Sequence, residues 1–561
     1  MRFKTATLYF TPEDVASRRV KKNDKSNPVF ITECLILPMS NRQNLTNHNP
    51  TAMDKSLSRV MLKSSIIAAL TAVCAPVGAY THPDSTLWHD PSCKTQIIHE
   101  ENHTPALLYA VPSTVFFTDS KEIKTRATTD DAGRLYHVDR DGVWHLCRPA
   151  NTAPHLTYHA KATHGASEEY RYYPPLTHHV SHIEIGTEPG ATFRFAASDS
   201  SRPIIVFCSD DTEAGVEWIT DMQRNLDLPT AIMTISCVGK TNTAITALTK
   251  QTTARLYILD FTDSTDADPR SYAATITGVI SETRQNSPAT PILVVSDSKV
   301  IQAVCDSINH STSATIHYLP TPDARRRASS VETKVREILG MRQGNAPTCV
   351  EVSQRRDIGA YDWHQRHHDI CHYIDSARPS NLIIGNSIVH YWGGKPGNIR
   401  VHGPETWRTT MEPEGFVNMG CGWDKIENVL WRVYHGELDG TDAENIVVMI
   451  GTNNIAFNTP DEIAEGIGHL VEAIGTRQPD ARIILAGLLP RRNLEPTVAT
   501  INRLLEQIAK EKGARYINPG IMMLQSDGKI NESLFIDGLH PNDKGYAIIA
   551  PQIVAAMKRK K

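Results

Sequence analysis

The sequence is poor in several features that would mark a particular class of protein. Its 58 lysine and arginine residues nearly balance 62 aspartate and glutamate residues, for a formal net charge of −4. There is therefore no electrostatic reason to expect a nucleic-acid partner. The ten cysteines include no Cys-X-X-Cys pair, which removes the commonest zinc-binding spacing. No pattern requires a metal or another cofactor, and we expect none.

Long apolar runs are also missing, and the run from Ile66 to Val73 is too short to cross a bilayer. Basic residues precede this run, and small residues at 77–79 form a cleavage site before Tyr80. This order is typical of a signal peptide, which we predict over 53–79. We therefore expect an exported protein (periplasmic, cell-surface or extracellular) without a transmembrane segment.

The position of this signal implies a start at Met53, because a signal peptide belongs at an amino terminus. On that interpretation, residues 1–52 are a spurious or disordered extension. Cys74 could instead carry a lipid anchor, although Val73 is a poor residue before it. In an oxidising compartment Cys93 and Cys147 could pair, but spacing alone does not assign partners.

The remaining chain divides into segments with different apolar patterns. Residues 80–196 alternate apolar and polar side chains between turns, which predicts a small antiparallel β-sandwich. Beyond Pro203, continuous apolar runs alternate with helix-compatible stretches, as in a parallel sheet covered on both faces. We assign an α/β domain to 197–342 and a second, able to fold alone, to 376–561.

A polar connector, 343–375, separates the two α/β domains. Its four histidines have spacings that could place metal ligands on one helical face, but we favour a solvated connector over a metal site. These histidines are His364, His367, His368 and His372. In the second domain, Thr459 and Glu462 predict a capping box at the start of a helix.

Four polar motifs in the second domain follow predicted strands. Because the carboxyl ends of parallel strands meet at one edge of a sheet, ligands bind there. A serine, a histidine with an aspartate three residues before it, and amide donors on separate loops are the components of acyl transfer. The motifs are Gly385-Asn386-Ser387, Gly420–Asp424, Gly451–Asn454 and Asp537–Pro541.

These motifs resemble the SGNH (GDSL-type) hydrolase superfamily, and in particular the branch of the platelet-activating-factor acetylhydrolase catalytic subunits. The resemblance covers 380–557 and includes the blocks VMIGTNN and DGLHPNDKGY. It implies a three-layer α/β/α flavodoxin-like fold, with Ser387 as nucleophile, His540 as general base and acid, and Asp537 as its orienting carboxylate. Taken alone, Ser387 would more simply be a helix N-cap, and Asp537–His540 a surface turn.

The resemblance also implies an oxyanion hole. It assigns this hole to Ser387, Gly422, Trp423 and Asn453, with backbone N–H groups as donors except at Asn453, where the side chain donates. Asn453 could otherwise simply cap a helix. Two departures from the family pattern stand out. Asn386 replaces the usual aspartate before the serine, and Trp423 replaces a glycine. We expect the Trp423 indole to crowd the acyl site and to favour small acyl groups.

The first α/β domain resembles the same superfamily without its catalytic residues. Asp210 stands at the nucleophile position, no histidine follows in LPTPDARRRASS at 319–330, and only Gly239 could remain from the oxyanion loop. We interpret it as a degenerate SGNH-like domain; the alternative is an unrelated Rossmann-like unit. Either would serve scaffolding, dimerisation or substrate binding, so a homo-oligomer is possible.

Together these features predict a secreted serine esterase that removes short acyl groups, acetyl above all, from a small-molecule or carbohydrate ester. The export signal favours an extracellular glycan. Two alternatives stay open. One is a lipid acylhydrolase, of the lysophospholipase or platelet-activating-factor acetylhydrolase kind. The other is a glycan-binding protein with weak hydrolytic activity.

Overall fold

The structure, a computed structural model, describes most of residues 77–558. The predicted extension, the signal peptide up to residue 76, and Cys93, Asp210 and Gly239 lie outside the described residues. The internal segments outside them are 82–86, 91–95, 99–105, 112–113, 128–132, 140–141, 152–155, 161–166, 174–182, 197–201, 209–212, 235–253, 261–268, 312–315, 322, 356–360 and 398–399. Among the described residues, no helix combines the length and apolar character that a membrane crossing requires.

The first part of the described chain consists of short strands. In chain order they are β1 (Val77–Thr81), β2 (Leu87–Asp90), β3 (Gln96–Ile98), β4 (Ala106–Val111), β5 (Thr114–Thr118), β6 (Glu122–Ala127), β7 (Arg134–Val138), β8 (Trp144–Leu146), β9 (Leu156–His159), β10 (Glu168–Tyr173), β11 (Ile183–Thr187) and β12 (Phe193–Phe195). All except β3 and β4 belong to two five-stranded antiparallel sheets, β1-β2-β11-β6-β9 and β12-β5-β10-β7-β8. Buried side chains from both sheets, among them Phe116, Ile123 and Tyr170, pack into one apolar cluster.

The first α/β domain follows. Its elements are β13 (Ile204–Cys208), α1 (Glu213–Leu226), β14 (Thr230–Thr234), β15 (Leu256–Asp260), α2 (Pro269–Asn286), β16 (Ile292–Val295), α3 (Lys299–Ser311), β17 (Ile316–Leu319) and α4 (Arg327–Ile338). Strands β13 to β17 pair in parallel, as their continuous apolar runs predict. At the edge, β4 joins β14 in antiparallel register and β3 joins β4. The segment predicted as one sandwich therefore contributes strands both to the two antiparallel sheets and to the sheet of the first α/β domain.

The connector is an ordered helical element and not a solvated link, so that prediction is wrong. It forms α5 (Trp363–Ala377), and the Asp362 side chain caps it by accepting backbone N–H groups of the first turn. Trp363 and His367 are buried, and His367 Nδ1 lies 2.9 Å from the Glu437 carboxylate. Within the part of the chain that the structure describes, no group of three or more potential ligands is placed to hold a metal ion.

The second α/β domain has a parallel sheet in the order β19-β18-β20-β21-β22. Its elements are β18 (Asn381–Gly385), α6 (Ser387–His390), α7 (Pro404–Thr406), β19 (Phe416–Gly420), α8 (Ile426–Tyr434), β20 (Asn445–Met449), α9 (Pro460–Arg477), β21 (Arg482–Ala486), α10 (Glu495–Glu511), β22 (Arg515–Ile517) and α11 (Asp543–Met557). The predicted capping box is confirmed: Thr459 and Glu462 exchange side-chain-to-backbone hydrogen bonds at the start of α9.

Alternation along the strands divides the core of this domain into two layers. In β18, Leu382 and Ile384 face the cluster that contains α8, α9 and α10, whereas Ile383 faces the cluster that contains α11. The first of these clusters continues into α5 and into the first α/β domain. The described part of the chain therefore has the predicted three-layer α/β/α arrangement in its second α/β domain, and that domain shares a core with the first.

Candidate active site

The serine, histidine and aspartate singled out by the sequence lie together at the carboxyl end of β18. The Asn386 side chain accepts the Ile388 N–H at 3.0 Å, which starts α6 and makes Ser387 its first residue. Ser387 Oγ lies 2.9 Å from His540 Nε2, and His540 Nδ1 lies 2.7 Å from Asp537 Oδ2. This is the geometry that activation of a serine hydroxyl by a histidine requires.

A tight turn holds the histidine in this orientation. Asp537 Oδ1 accepts the backbone N–H groups of Leu539, at 3.0 Å, and of His540, at 2.8 Å. Burial acts to raise the pKa of Asp537, but these bonds and the His540 ring lower it, so that the carboxyl stays ionised. An ionised Asp537 keeps the proton on His540 Nδ1 and leaves Nε2 free to accept the proton of Ser387.

Donors for a developing oxyanion come from three neighbouring strands. As the first residue of α6, Ser387 has a backbone N–H without an intrahelical acceptor. The oxyanion loop, which we define as Cys421–Asp424, follows β19, and Trp423 in it adopts a φ of +63°. Asn453 follows β20, and its Nδ2 donates to the Asp424 carbonyl at 2.9 Å. An amide nitrogen carries two hydrogens, so one N–H of Asn453 is left for a substrate.

Gly422 does not belong in this set of donors, and we correct the predicted oxyanion hole accordingly. Its N–H donates to His390 Nδ1 at 3.0 Å. Burial, with Arg366 and Arg432 nearby, lowers the pKa of His390 to about 2, so the ring stays neutral and can accept this bond. Gly422 supports the loop and does not face a reacting group.

Three aromatic side chains that the sequence motifs did not identify, Tyr391, His402 and Tyr361, lie beside His540 or beside the oxyanion loop. The Tyr391 ring lies 5.7 Å from the His540 ring, and the His402 ring lies 6.1 Å from it. The Trp423 indole lies almost parallel to the ring of Tyr361, with centroids 6.1 Å apart and an interplanar angle of 11°. Tyr391 could have been found from its spacing, one helical turn after Ser387. Tyr361 could not, because it lies outside the domain.

A buried ionic network lies beneath the oxyanion loop. Arg432, with no exposed side-chain surface, pairs with Asp424 at 2.8 Å and with Glu437 at 2.5 Å, and Glu437 also contacts His367. Burial raises the pKa of Asp424 to about 7, against the opposing effect of Arg432. Two cationic and two anionic groups are thus arranged alternately, so that each buried charge has a partner of opposite sign.

The corresponding edge of the first α/β domain is occupied by an ion pair. Arg327 Nη2 lies 2.5 Å from Asp260 Oδ2 at the carboxyl end of β15, and both residues are buried. The Arg327 guanidinium also lies 5.4 Å from the centre of the Trp218 ring. This arrangement places paired charges at the end of β15. The position of Asp210 itself lies outside the described residues.

The fold and the site together define a hydrolase of the α/β/α class, with its polar groups at the carboxyl ends of parallel strands. A family model described as the GDSL-like Lipase/Acylhydrolase family matches residues 383–548, and a second model with the same description matches 204–370. The chain belongs to this family, and it is an ester-bond hydrolase. The second match identifies the first α/β domain as GDSL-like, not as an unrelated Rossmann-like unit.

Curated relatives agree with this assignment. The chain is 34% identical over 215 residues to platelet-activating factor acetylhydrolase IB subunit alpha2 from Homo sapiens, covering 37% of this chain and 90% of that protein. It is 28% identical over 218 residues to subunit alpha1 from Homo sapiens, covering 38% and 88%.

Solved structures with a partial likeness come from two bacteria. One is a GDSL-like lipase from Bacteroides thetaiotaomicron, with 19% identity, 34% of this chain and 98% of that chain covered, and a TM-score of 0.29. The other is a family two carbohydrate esterase from Clostridium thermocellum in complex with cellohexaose, with 10% identity, 44% and 98% covered, and a TM-score of 0.30. Neither likeness bears on the substrate of this chain.

Proposed function

We propose that this protein is an exported serine esterase that removes short acyl groups, acetyl above all, from carbohydrate esters. The observation that carries the proposal is the relay of 2.9 Å and 2.7 Å contacts from Ser387 through His540 to Asp537, in a chain that belongs to an ester hydrolase family. Export rests on the predicted signal peptide over 53–79.

The mechanism follows from the positions of these groups. Ser387 Oγ attacks the ester carbonyl while His540 Nε2 takes its proton, and Asp537 stabilises the imidazolium that forms. The N–H groups of Ser387, Trp423 and Asn453 stabilise the negative charge on the carbonyl oxygen. The alcohol leaves with the proton from His540, and a bond between Ser387 and the acyl group remains. Water then gives a proton to His540 and attacks the acyl carbonyl. The bond to Ser387 Oγ breaks, His540 returns the proton to Ser387 Oγ, and the acid is released.

Preference for a short acyl group rests on the crowded surroundings of Ser387. The ring of Tyr391, which is 3% exposed, lies 5.7 Å from that of His540, and the oxyanion loop carries the Trp423 indole, stacked on Tyr361. Such bulky rings near Ser387 would favour a small acyl group. Preference for a carbohydrate rests on export and on one exposed aromatic ring. Phe457 is 74% exposed and follows the Asn453 turn, where an apolar sugar face could pack against it.

A lipid acylhydrolase is the second candidate. The curated relatives are named for an acetylhydrolase of platelet-activating factor, and six exposed apolar side chains stand between the named strands and helices of the second α/β domain. They are Val401, Phe457, Ile521, Met522, Leu524 and Ile536.

Hydrolysis of p-nitrophenyl acetate, butyrate and octanoate by the full chain, beside Ser387→Ala, tests the proposal. We expect the fastest turnover with acetate and none above background with Ser387→Ala. Faster turnover of octanoate would favour the lipid acylhydrolase. A folded protein that hydrolyses none of the three esters would contradict the esterase mechanism and favour a glycan-binding protein. If the acetate ester is preferred, acetylated oligosaccharides are the next substrates to test.

A further inference from the structure

The oxyanion loop is held by side chains from the connector, outside the domain that contains the relay. Tyr361 Oη donates to the Gly422 carbonyl at 2.7 Å, and Gln354 Nε2 donates to the same oxygen at 2.9 Å. A carbonyl oxygen has two lone pairs, and both are used here. The Tyr361 ring also covers the indole of Trp423. The loop is thus held by hydrogen bonds and by ring stacking from the connector.

Asp424, the last residue of this loop, is held even more completely. Its Oδ1 accepts from Gln354 Nε2 and from Trp363 Nε1, both at 2.7 Å. Its Oδ2 accepts from Arg432 Nε at 2.8 Å, and the carboxylate has no exposed surface. Three donors hold this fully buried carboxyl group in place, because a displacement would break hydrogen bonds that water cannot replace there.

The position of Asp424 decides the position of two donors proposed for the oxyanion hole. Its carbonyl accepts from Asn453 Nδ2 at 2.9 Å, which orients the other N–H of that side chain. Asp424 also follows Trp423 directly in the chain. A movement of Asp424 therefore changes the backbone conformation of Trp423. A shift of Asp424 would therefore move both donors together.

We propose that the connector is a positioning element for the oxyanion hole and that it acts through Asp424, with Gln354 and Trp363 as its positioning residues. Neither residue touches the reacting atoms. The inference rests on the proposed roles of Ser387 and Asn453, but not on the identity of the acyl group or of the alcohol.

The connector is in turn anchored in the β-rich part of the chain. Asp362, which caps α5, also pairs with Arg194 of β12 at 2.8 Å. Arg355, one residue after Gln354, forms a buried ion pair with Glu169 of β10. On this proposal, the β-rich part of the chain fixes the position of the connector, and the connector fixes the position of the oxyanion hole.

The test is Trp363→Phe in the full chain, which removes the Nε1–H donor and keeps an aromatic ring. The matched control is Trp431→Phe, because the Trp431 Nε1–H also donates to a carboxylate, that of Asp227 at 3.0 Å, without contacting Asp424. We expect Trp363→Phe to lower kcat for p-nitrophenyl acetate about tenfold with an unchanged KM. We expect Trp431→Phe to leave both constants unchanged.

A second readout keeps this test independent of the substrate. A fluorophosphonate probe forms a bond between phosphorus and Ser387 Oγ with loss of fluoride, and its phosphoryl oxygen occupies the oxyanion hole. The labelling rate should also fall about tenfold in Trp363→Phe, whereas Ser387→Ala should not react. If the wild type is labelled but hydrolyses no acetate ester, the proposed substrate fails and the labelling rates still decide this inference.

A double-mutant cycle with Asn453→Ala separates positioning from a general loss of structure. In that background, we expect Trp363→Phe to lower kcat by clearly less than in the wild type, because only one of the two donors that it positions, the Trp423 N–H, remains. Gln354→Met, which removes the other connector donor to Asp424, should reproduce the loss of kcat. The inference is overturned if Trp363→Phe leaves kcat and labelling unchanged, if both Trp variants lose activity equally, or if the full effect persists without Asn453.

Discussion

Replacing Asp537 by asparagine tests the relay with the smallest possible change in shape. Asp537 Oδ1 accepts two backbone N–H groups, so the amide oxygen of the variant takes this place. The amide NH₂ then faces His540 Nδ1, which must become an acceptor and transfer its proton to Nε2. In that tautomer, His540 cannot take the proton of Ser387.

The expected loss is large in activity and small in stability. The same exchange in a serine protease triad lowers kcat about 10⁴-fold. The Asp537 side chain here is 51% exposed, so water can replace part of its effect, and we expect a loss of about 10³-fold, or about 4 kcal/mol of transition-state stabilisation. Both backbone hydrogen bonds of the turn remain, so at neutral pH only the small stabilisation that comes from the ionised carboxylate should be lost.

The assay is kcat for p-nitrophenyl acetate, measured beside thermal unfolding. Asp527→Asn is the matched control, because Asp527 also accepts a backbone N–H, that of Lys529 at 2.9 Å, in a turn of the same domain. The control should keep full activity. A loss below about tenfold for Asp537→Asn, with the fold intact, would refute the argument that this carboxylate sets the tautomer of His540.

Three further expectations follow from the same structure. Arg432→Met leaves two buried carboxylates without their shared cation and should lower the free energy of unfolding, measured in urea, by about 3–5 kcal/mol. The control Arg408→Met removes one partner of an exposed ion pair and should not change this free energy measurably. Equal effects of the two variants would contradict the burial of Arg432. Thr459→Ala removes the cap of α9 and should cost about 1 kcal/mol without changing kcat; an unchanged midpoint would count against the capping box. Because the pKa of Asp537 is lowered in the folded protein, its contribution to stability is present above the ordinary carboxyl pKa of about 3.9 and is lost as the pH falls through the folded value. Wild type and Asp537→Asn should therefore converge in acid, and a constant difference between them from neutral pH to acid would contradict this.

Local patterns were enough to predict most elements of the second α/β domain and the candidates for its chemistry. Strands such as β18 and β20 are buried on both faces, so their continuous apolar runs identify them without knowledge of any partner. The cap of α9 depends on residues three apart, a distance within one helical turn. Ser387, Asp537 and His540 could be named because each lies within a recognisable block.

Partners that are distant in sequence could not be predicted in this way. The apolar run of β4 indicates a strand, but not that it pairs with β14 near the edge of another sheet. The N–H of Gly422 was expected to face the substrate, and it donates instead to His390, 32 residues earlier. A local sequence pattern predicts which secondary structure a segment forms, whereas its hydrogen-bond partners depend on which residues the fold brings beside it.

The sequence by itself determined the strands and helices of the second α/β domain, its family resemblance and the identity of the groups available for acyl transfer, because these depend on side-chain type and short spacings. Only the tertiary structure decided what holds the oxyanion loop. Gln354 and Trp363 reach Asp424 across 70 and 61 residues of chain. The polar composition of their segment predicted a solvated link. Packing between the domains buries that segment. A buried carboxylate is hydrogen-bonded by the donors that the fold places beside it, however distant they are in sequence.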